Sequence, residues 1–162
     1  MQLLFSTVHG SRLYGLHHAD SDYDRFEVYG WIKTRGRQTM YAREDVTKTS
    51  FDRFMRYCDK GVPQYLEAIF SKMATEDHIP YIRENYYPNM VNVRDTYMRT
   101  IKAFWAEGTE TGSMKRRRHA ARLRLNLIAM EETGRFNPTL TEAQRHLVTM
   151  QANVLTELPP IR

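Results

Sequence analysis

The sequence predicts an α+β fold: a small mixed β-sheet followed by a helical C-terminal half. Three observations predict it. Up to Ser50, apolar residues fall in short runs broken by Gly and polar turns. From Phe51 onward they recur at helical spacing. The chain has 162 residues, 41% of them apolar, which is enough for one domain with a core.

Residues 2–9 (QLLFSTVH) read as a short, largely apolar strand that ends at Gly10. Residues 11–16 suit a helical turn with Ser11 as its cap. HHADS is a polar connection. Tyr23 to Ile32 reads as a second strand, with Phe26, Val28 and Gly30 alternating against Glu27 and Tyr29. KTRGRQ is a basic turn, and Thr39 to Ser50 supplies a third strand with its approach loop. Phe51, Phe54, Met55 and Cys58 then form a helical stripe that Gly61 stops. Pro63 suits the first turn of another helix, whose apolar face is Tyr65, Leu66, Ile69 and Phe70. Residues 80–90 read as irregular, with a short helix beginning at Tyr81-Ile82 as the alternative. A helix covers 92–107 and breaks over Gly108 to Gly112. The next runs from Ser113 to Thr133, with Gly134 as its stop, and a last one spans 141–156, capped by Thr141. There is no internal repeat and no low-complexity segment.

Composition narrows the function. A net charge of +5 and a pI near 9.4 favour polyanionic partners such as nucleotides or nucleic acid. No window holds eighteen consecutive apolar residues and no charged-then-apolar leader is visible, which argues against a membrane span or a secretory signal. The single cysteine, Cys58, excludes an intrachain disulfide and reads as a small core residue, so the cytosol is the expected compartment.

The densest chemistry lies in GSRLYGLHHADSDYD, from Gly10 to Asp24. In an extended strand Asp22 and Asp24 point the same way. Two adjacent carboxylates repel unless a cation sits between them, and hard oxygen ligands suit Mg²⁺ or Mn²⁺. Gly10 and Ser11 offer an unobstructed backbone N–H and a hydroxyl, which suit a phosphate. Metal plus phosphate points to phosphoryl or nucleotidyl transfer. A solvated loop is the plainer reading of the same residues, because Asp and Ser favour turns. Asp20, nearer the turn, reads as a surface residue. His17 and His18 sit beside the pair, either exposed or touching substrate or metal. No zinc-spaced Cys/His cluster and no Gly-Lys-Ser/Thr phosphate loop is present.

The segment resembles the signature of the DNA polymerase beta nucleotidyltransferase superfamily: a hydrophobic strand, Gly-Ser, a gap of about ten residues, then Asp-x-Asp. Within it the chain is most similar to a branch linked by name to RNA repair. The branch's GS-x-x-YGL and SD-x-D-R strings fall here on Gly10, Ser11, Tyr14, Gly15, Leu16, Ser21, Asp22, Asp24 and Arg25. The resemblance implies a third carboxylate on a later strand. Glu44, Asp45, Asp52 and Glu67 are on offer, and Asp45 matches best because it stands nine residues before Phe54. The branch's Tyr-Glu-Leu stretch is replaced here by Thr49-Ser50-Phe51.

A Gly-x-Pro followed by a helical Glu is matched by Gly61, Pro63 and Glu67. Glu67 sits among apolar residues, where a carboxylate needs a partner, so it either braces the site or lies on a solvated face. A Lys-x-x-x-His-x-x-Arg-Leu helix is matched by Lys115, His119, Arg122 and Leu123, within the basic run that starts at Lys115. By resemblance this face meets a triphosphate or an RNA backbone; otherwise it is a solvated basic face. Cations at a helix N-terminus oppose its dipole, which favours the functional reading. Tyr81, Tyr86 and Tyr87 could stack on bases, but core or surface packing is the plainer reading of them.

Together these features imply a nucleotidyltransferase whose catalytic core, a palm-like sheet, occupies residues 1–72, with 73–162 a helical region packed on it. Asp22, Asp24 and Asp45 would bind two Mg²⁺ or Mn²⁺ ions. Gly10, Ser11, Arg25, Lys115, His119 and Arg122 would hold the NTP, and an RNA 3′ end is the expected acceptor. The alternative is a non-catalytic nucleotide- or nucleic-acid-binding module that keeps the fold.

Overall fold

The computed structural model of the chain describes residues 2–31, 38–41, 44–75 and 78–162. The fold is α+β, with most of its helix in the C-terminal half. In chain order the elements are β1 (Leu3–His9), α1 (Gly10–Tyr14), β2 (Tyr23–Tyr29), β3 (Gln38–Tyr41), β4 (Glu44–Ser50), α2 (Phe51–Asp59), α3 (Pro63–Phe70), β5 (Ala74–Thr75), α4 (His78–Asn85), α5 (Met90–Thr111), α6 (Met114–Thr133) and α7 (Glu142–Val154). The sheet order is β3-β4-β2-β1-β5. β2 and β4 are parallel, and every other pair is antiparallel. Among the described residues no helix is long and apolar enough to cross a membrane.

Register decides where the site lies. Phe5 pairs with Val28, Thr7 with Phe26 and His9 with Asp24 across β1 and β2. Asp24, Phe26 and Val28 then pair with Asp45, Thr47 and Thr49 across β2 and β4. Because side chains alternate, all of these share one face. Its middle is core: the Phe54 ring packs on Phe5 at 5.2 Å and on Phe26 at 5.9 Å, and Tyr65 meets Phe26 at 5.1 Å. Its end, at His9, Asp24 and Asp45, runs out from under the helices. The same face therefore supplies both the core and an acidic row.

The apolar cluster draws on both ends of the chain. Phe5, Phe26 and Phe54 share it with Val93, Tyr97, Leu123 and Leu127. Cys58 is fully buried in it, and burial pushes its thiol far above the ordinary range. α5 crosses the corner between α2 and α3. There the Asn92 side chain donates to the Asp59 carbonyl at 2.9 Å and the Thr96 hydroxyl to the Lys60 carbonyl at 2.8 Å, satisfying helix-end acceptors. Gly61 makes the crossing possible. It has φ +72°, and a Cβ there would stand 2.5 Å from Val93 Cα.

Several sequence expectations are corrected. Thr39 to Ser50 is not one strand but two, β3 and β4, with β4 running parallel to β2. Ile32 and residues 33–37 of the basic turn lie outside the described residues, and Gln38 is already in β3. Glu27 and Tyr29 do share the other face of β2, as the alternation predicts, and both are buried there. The Tyr29 hydroxyl donates to Glu27 at 2.6 Å, and Arg25 and Lys48 approach the same carboxylate at 3.0 and 3.9 Å. That polar cluster shields the outer face. Ser11 does not cap α1: His9 holds the cap position and no side chain caps it.

Pro80 is accommodated inside α4, in the first turn, where its missing N–H is harmless. α5 does not break at Gly108 but continues to Thr111. The start of α6 packs against Gly108 so closely that a Cβ would sit 2.9 Å from the Arg117 backbone nitrogen. That glycine makes room instead of ending a helix. α7 ends two residues early, at Val154, but Thr141 caps it in a full capping box with Gln144.

Gly61→Ala combines a left-handed backbone with overpacking against α5, so a loss of about 3 kcal/mol is expected. Thermal unfolding should show a midpoint lower by roughly 6–12 °C for a chain of this size. An unchanged midpoint would mean that the corner repacks freely.

Candidate functional site

The acidic row opens into a cavity of about 500 Å³ between α1, the first residues of β2 and β4, and the start of α6. Gly10, Ser11, Asp22, Asp24, Asp45 and Lys115 all line it, as do Asp20, Arg25, His18 and His119. His17 is not on its wall.

Local sequence builds this arrangement. Gly10 has φ +67°, and its missing side chain leaves the space that Asp24 fills. A Cβ on Gly10 would lie 2.1 Å from Asp24 Oδ2. The polar connection folds into a turn, with the His18 N–H donating to Ser21 Oγ at 2.9 Å and the Ser21 N–H to the His18 carbonyl at 3.0 Å. Arg12 holds that turn from α1: Nη2 donates to the Ser21 carbonyl at 2.9 Å and Nε to the Asp22 carbonyl at 3.3 Å. Its guanidinium also lies 5.5 Å from the centre of the Tyr23 ring. Arg12 therefore fixes the backbone of the Asp-x-Asp segment. The sequence reading passed over it, although its place between Ser11 and Leu13 was the signal.

The three carboxylates oppose one another. Burial pushes the Asp24 carboxyl above its usual range, and Asp45 and Asp22 push the same way, against Lys115. Such a group is stabilised by a cation. Hard oxygen donors under mutual repulsion fit a divalent metal by donor type. Among the described residues, however, no three carboxylate, imidazole or thiol side chains converge on one ion position. The expected ligands share a cavity without closing around a single point.

The basic helix does not act as one face. Lys115 is exposed on the cavity rim. His119 lines the wall, and burial first, then the neighbouring cations, lower its imidazole to about 3. It is therefore a neutral hydrogen-bonding group rather than a cation at physiological pH. Arg122 is corrected outright as a phosphate ligand. Only 3% exposed, it points inward to Glu67 Oε1 at 2.5 Å, with its guanidinium 3.5 Å from the centre of the Tyr14 ring. The spacing 115, 119, 122 does follow one stripe, but that stripe descends into the core as α6 leaves the surface.

Arg116 and Arg117 are engaged elsewhere. Arg116 pairs with Glu107 at 3.4 Å, and Arg117 donates to the Leu155 carbonyl while lying 4.1 Å from the Trp105 ring centre. Arg118 lines a small recess beside Ser11 and Lys115. Arg25 lines the cavity but bridges Glu27 at 3.0 Å and Glu44 at 3.2 Å. Of the tyrosines considered for stacking, Tyr86 packs 6.2 Å from Phe70, and none of the three reaches the cavity.

Glu67 is the brace behind the cavity and not a solvated residue. It accepts from the Tyr14 hydroxyl at 2.6 Å and from Arg122, and His9 Nε2 lies 3.9 Å away. Burial raises the Tyr14 phenol well above its ordinary range and lowers the His9 imidazole. Through Tyr14 the brace holds α1, and through His9 it abuts β1. No protein-family model matches the chain, and no curated protein matches its sequence.

Two outcomes are expected. Arg122→Met leaves Glu67 buried without its cation and should cost about 3–5 kcal/mol in urea unfolding. Adding Glu67→Gln should recover much of that, because the amide still accepts from Tyr14; a single-variant cost under about 1 kcal/mol would mean the pair is effectively exposed. The second concerns pH. A raised folded pKa at Asp24 means that ionising it costs the fold stability. That cost is complete at neutral pH, shrinks as pH falls through the folded pKa, and is gone below its ordinary 3.8. Asp24→Asn should therefore raise the thermal midpoint at pH 7, with the gain vanishing towards pH 4. A variant less stable than wild type at pH 7 would contradict the geometry.

Proposed function

We propose that the protein is a metal-dependent nucleotidyltransferase of the cytosol. It moves a nucleoside monophosphate from an NTP to a hydroxyl acceptor, an RNA 3′ end by resemblance. The observation that carries this reading is the pairing of Asp24 with Asp45 on adjacent parallel strands, facing a cavity that also holds Asp22, Gly10, Ser11 and Lys115.

Asp22, Asp24 and Asp45 would hold Mg²⁺ or Mn²⁺, which would activate the attacking hydroxyl and neutralise the departing pyrophosphate. The acceptor hydroxyl gives its proton to a cavity carboxylate or to water as its oxygen bonds to the α-phosphorus, the bond between the α-phosphorus and the bridging oxygen breaks, and pyrophosphate leaves. The chain's own share is positioning and charge. Gly10 and Ser11 present a backbone N–H and a hydroxyl to the β- and γ-phosphates. Lys115, across the cavity, meets charge that grows on the leaving group. Arg12 keeps the Asp22 backbone in place. His119, neutral and half-buried, donates or accepts one hydrogen bond at the wall.

A second reading is favoured by one observation. The carboxylates do not converge on one ion position among the described residues, which suits a nucleotide-binding module that does no chemistry.

The experiment supplies Mg²⁺ or Mn²⁺, each α-labelled NTP in turn and a mixed RNA pool to wild type and to the Asp22→Asn/Asp24→Asn variant. Label should pass to RNA with wild type alone, and Lys115→Ala should slow transfer by roughly tenfold to a hundredfold. Binding without transfer, unchanged in the double variant and weakened by salt, would establish the module instead.

A further inference from the structure

A second cavity of about 430 Å³ opens beside the acidic one, between α3, α5 and α6. The two share four wall residues: His9, Tyr14, Gln64 and His119. We propose that this second cavity holds the nucleobase of the nucleotide whose phosphates lie in the acidic cavity. The inference rests on the nucleotidyl-transfer reading and adds the site that selects the base.

The wall chemistry asks for a neutral, planar occupant. Val62, Pro63, Leu123 and Phe104 make it largely apolar. The ionic groups at its floor and rim already have partners: Glu67 with Arg122, and Arg116 with Glu107. A charged guest would find no free countercharge on these residues. His119 stands between the cavities with its ring 6.2 Å from Phe104 and 5.9 Å from Tyr14, and it is neutral. Tyr14 is 4% exposed with Arg122 over its ring, so the partly exposed rings of Phe104 and His119 offer the stacking surface, and stacking on aromatic rings is how proteins commonly hold bases.

Gln64 supplies the polar element. It lines both cavities, and its amide has no hydrogen-bond partner among the described residues. An amide presents one donor edge and one acceptor edge, the pattern that reads a base edge in two bonds. A nucleobase has apolar faces and a polar edge, and it is tethered to its phosphates by a sugar. That shape matches an apolar cavity joined, across a shared wall, to an acidic and phosphate-suited one.

The test is calorimetric binding in Mg²⁺ of each NTP and of inorganic tripolyphosphate, to wild type, Thr100→Phe and Phe104→Ala. Thr100 lines the second cavity only, so the larger ring fills it, whereas Phe104→Ala strips its wall. The preferred NTP should bind wild type about tenfold or more tighter than tripolyphosphate, in line with the worth of one stacked base. Both variants should erase that advantage while leaving tripolyphosphate affinity within about twofold. If both ligands bind wild type and neither variant alters their ratio, the base lies elsewhere and the inference falls, while the phosphate and metal reading stands. If neither ligand binds wild type, the nucleotide reading falls and takes the inference with it.

Discussion

The rest of the molecule depends on one buried ion pair. Glu67 and Arg122 meet at 2.5 Å where α3, α6 and the sheet converge, and each is almost fully buried. Desolvating two such charges is costly, and their attraction offsets that cost only when their remaining bonding capacity is used. Here Tyr14 donates to Glu67, and its ring lies against the guanidinium. Tyr14 lines the acidic cavity and closes α1, whose first residue, Gly10, leaves the space that Asp24 fills. An interaction that is unremarkable as a source of stability thus fixes the angle between the helical half and the acid-bearing sheet.

The site's electrostatics follow from that division. On the cavity side, three carboxylates face one another and Asp24 resists ionisation. On the core side, Glu67 is neutralised. Two half-buried histidines, His9 and His119, form the boundary, and desolvation lowers both imidazoles. Among the described residues Lys115, at the rim, is the cation whose charge opposes the carboxylates' repulsion at Asp24. A mutually repelling carboxylate set that is left under-compensated is the usual mark of a place where a cation or another ligand completes the structure.

Much of this was legible in the sequence. Phe26 and Val28 announced the inner face of β2, and the stripe of Phe54 and Cys58 announced α2. Asp22, Asp24, Gly10 and Ser11 could be grouped because they lie within fifteen residues and backbone geometry alone brings them together. Asp45 could not be derived that way. Its position opposite Asp24 depends on parallel pairing between β2 and β4, with β3 intervening, and register across such a connection leaves no local trace. Arg122 misled for a related reason. Helical spacing tells which residues share a stripe but not whether the stripe faces water or core. Its partner, Glu67, is fifty-five residues away. Gly108 misled because a glycine that makes room for a neighbouring helix and one that ends its own look the same.

The clamp made by Arg12 spans only ten residues, whereas the brace spans fifty-five. Closing the longer interval costs about 1.5 kcal/mol more in chain entropy. The difference also sets an order of assembly. The acidic turn can fold on itself once its own short segment exists, including during synthesis. Glu67 emerges long before its guanidinium partner and must stay hydrated until α6 has been made. The space behind the cavity therefore dries only once α6 has been made. Asp22 and Asp24 can be in place early, and the brace that stiffens their surroundings arrives later.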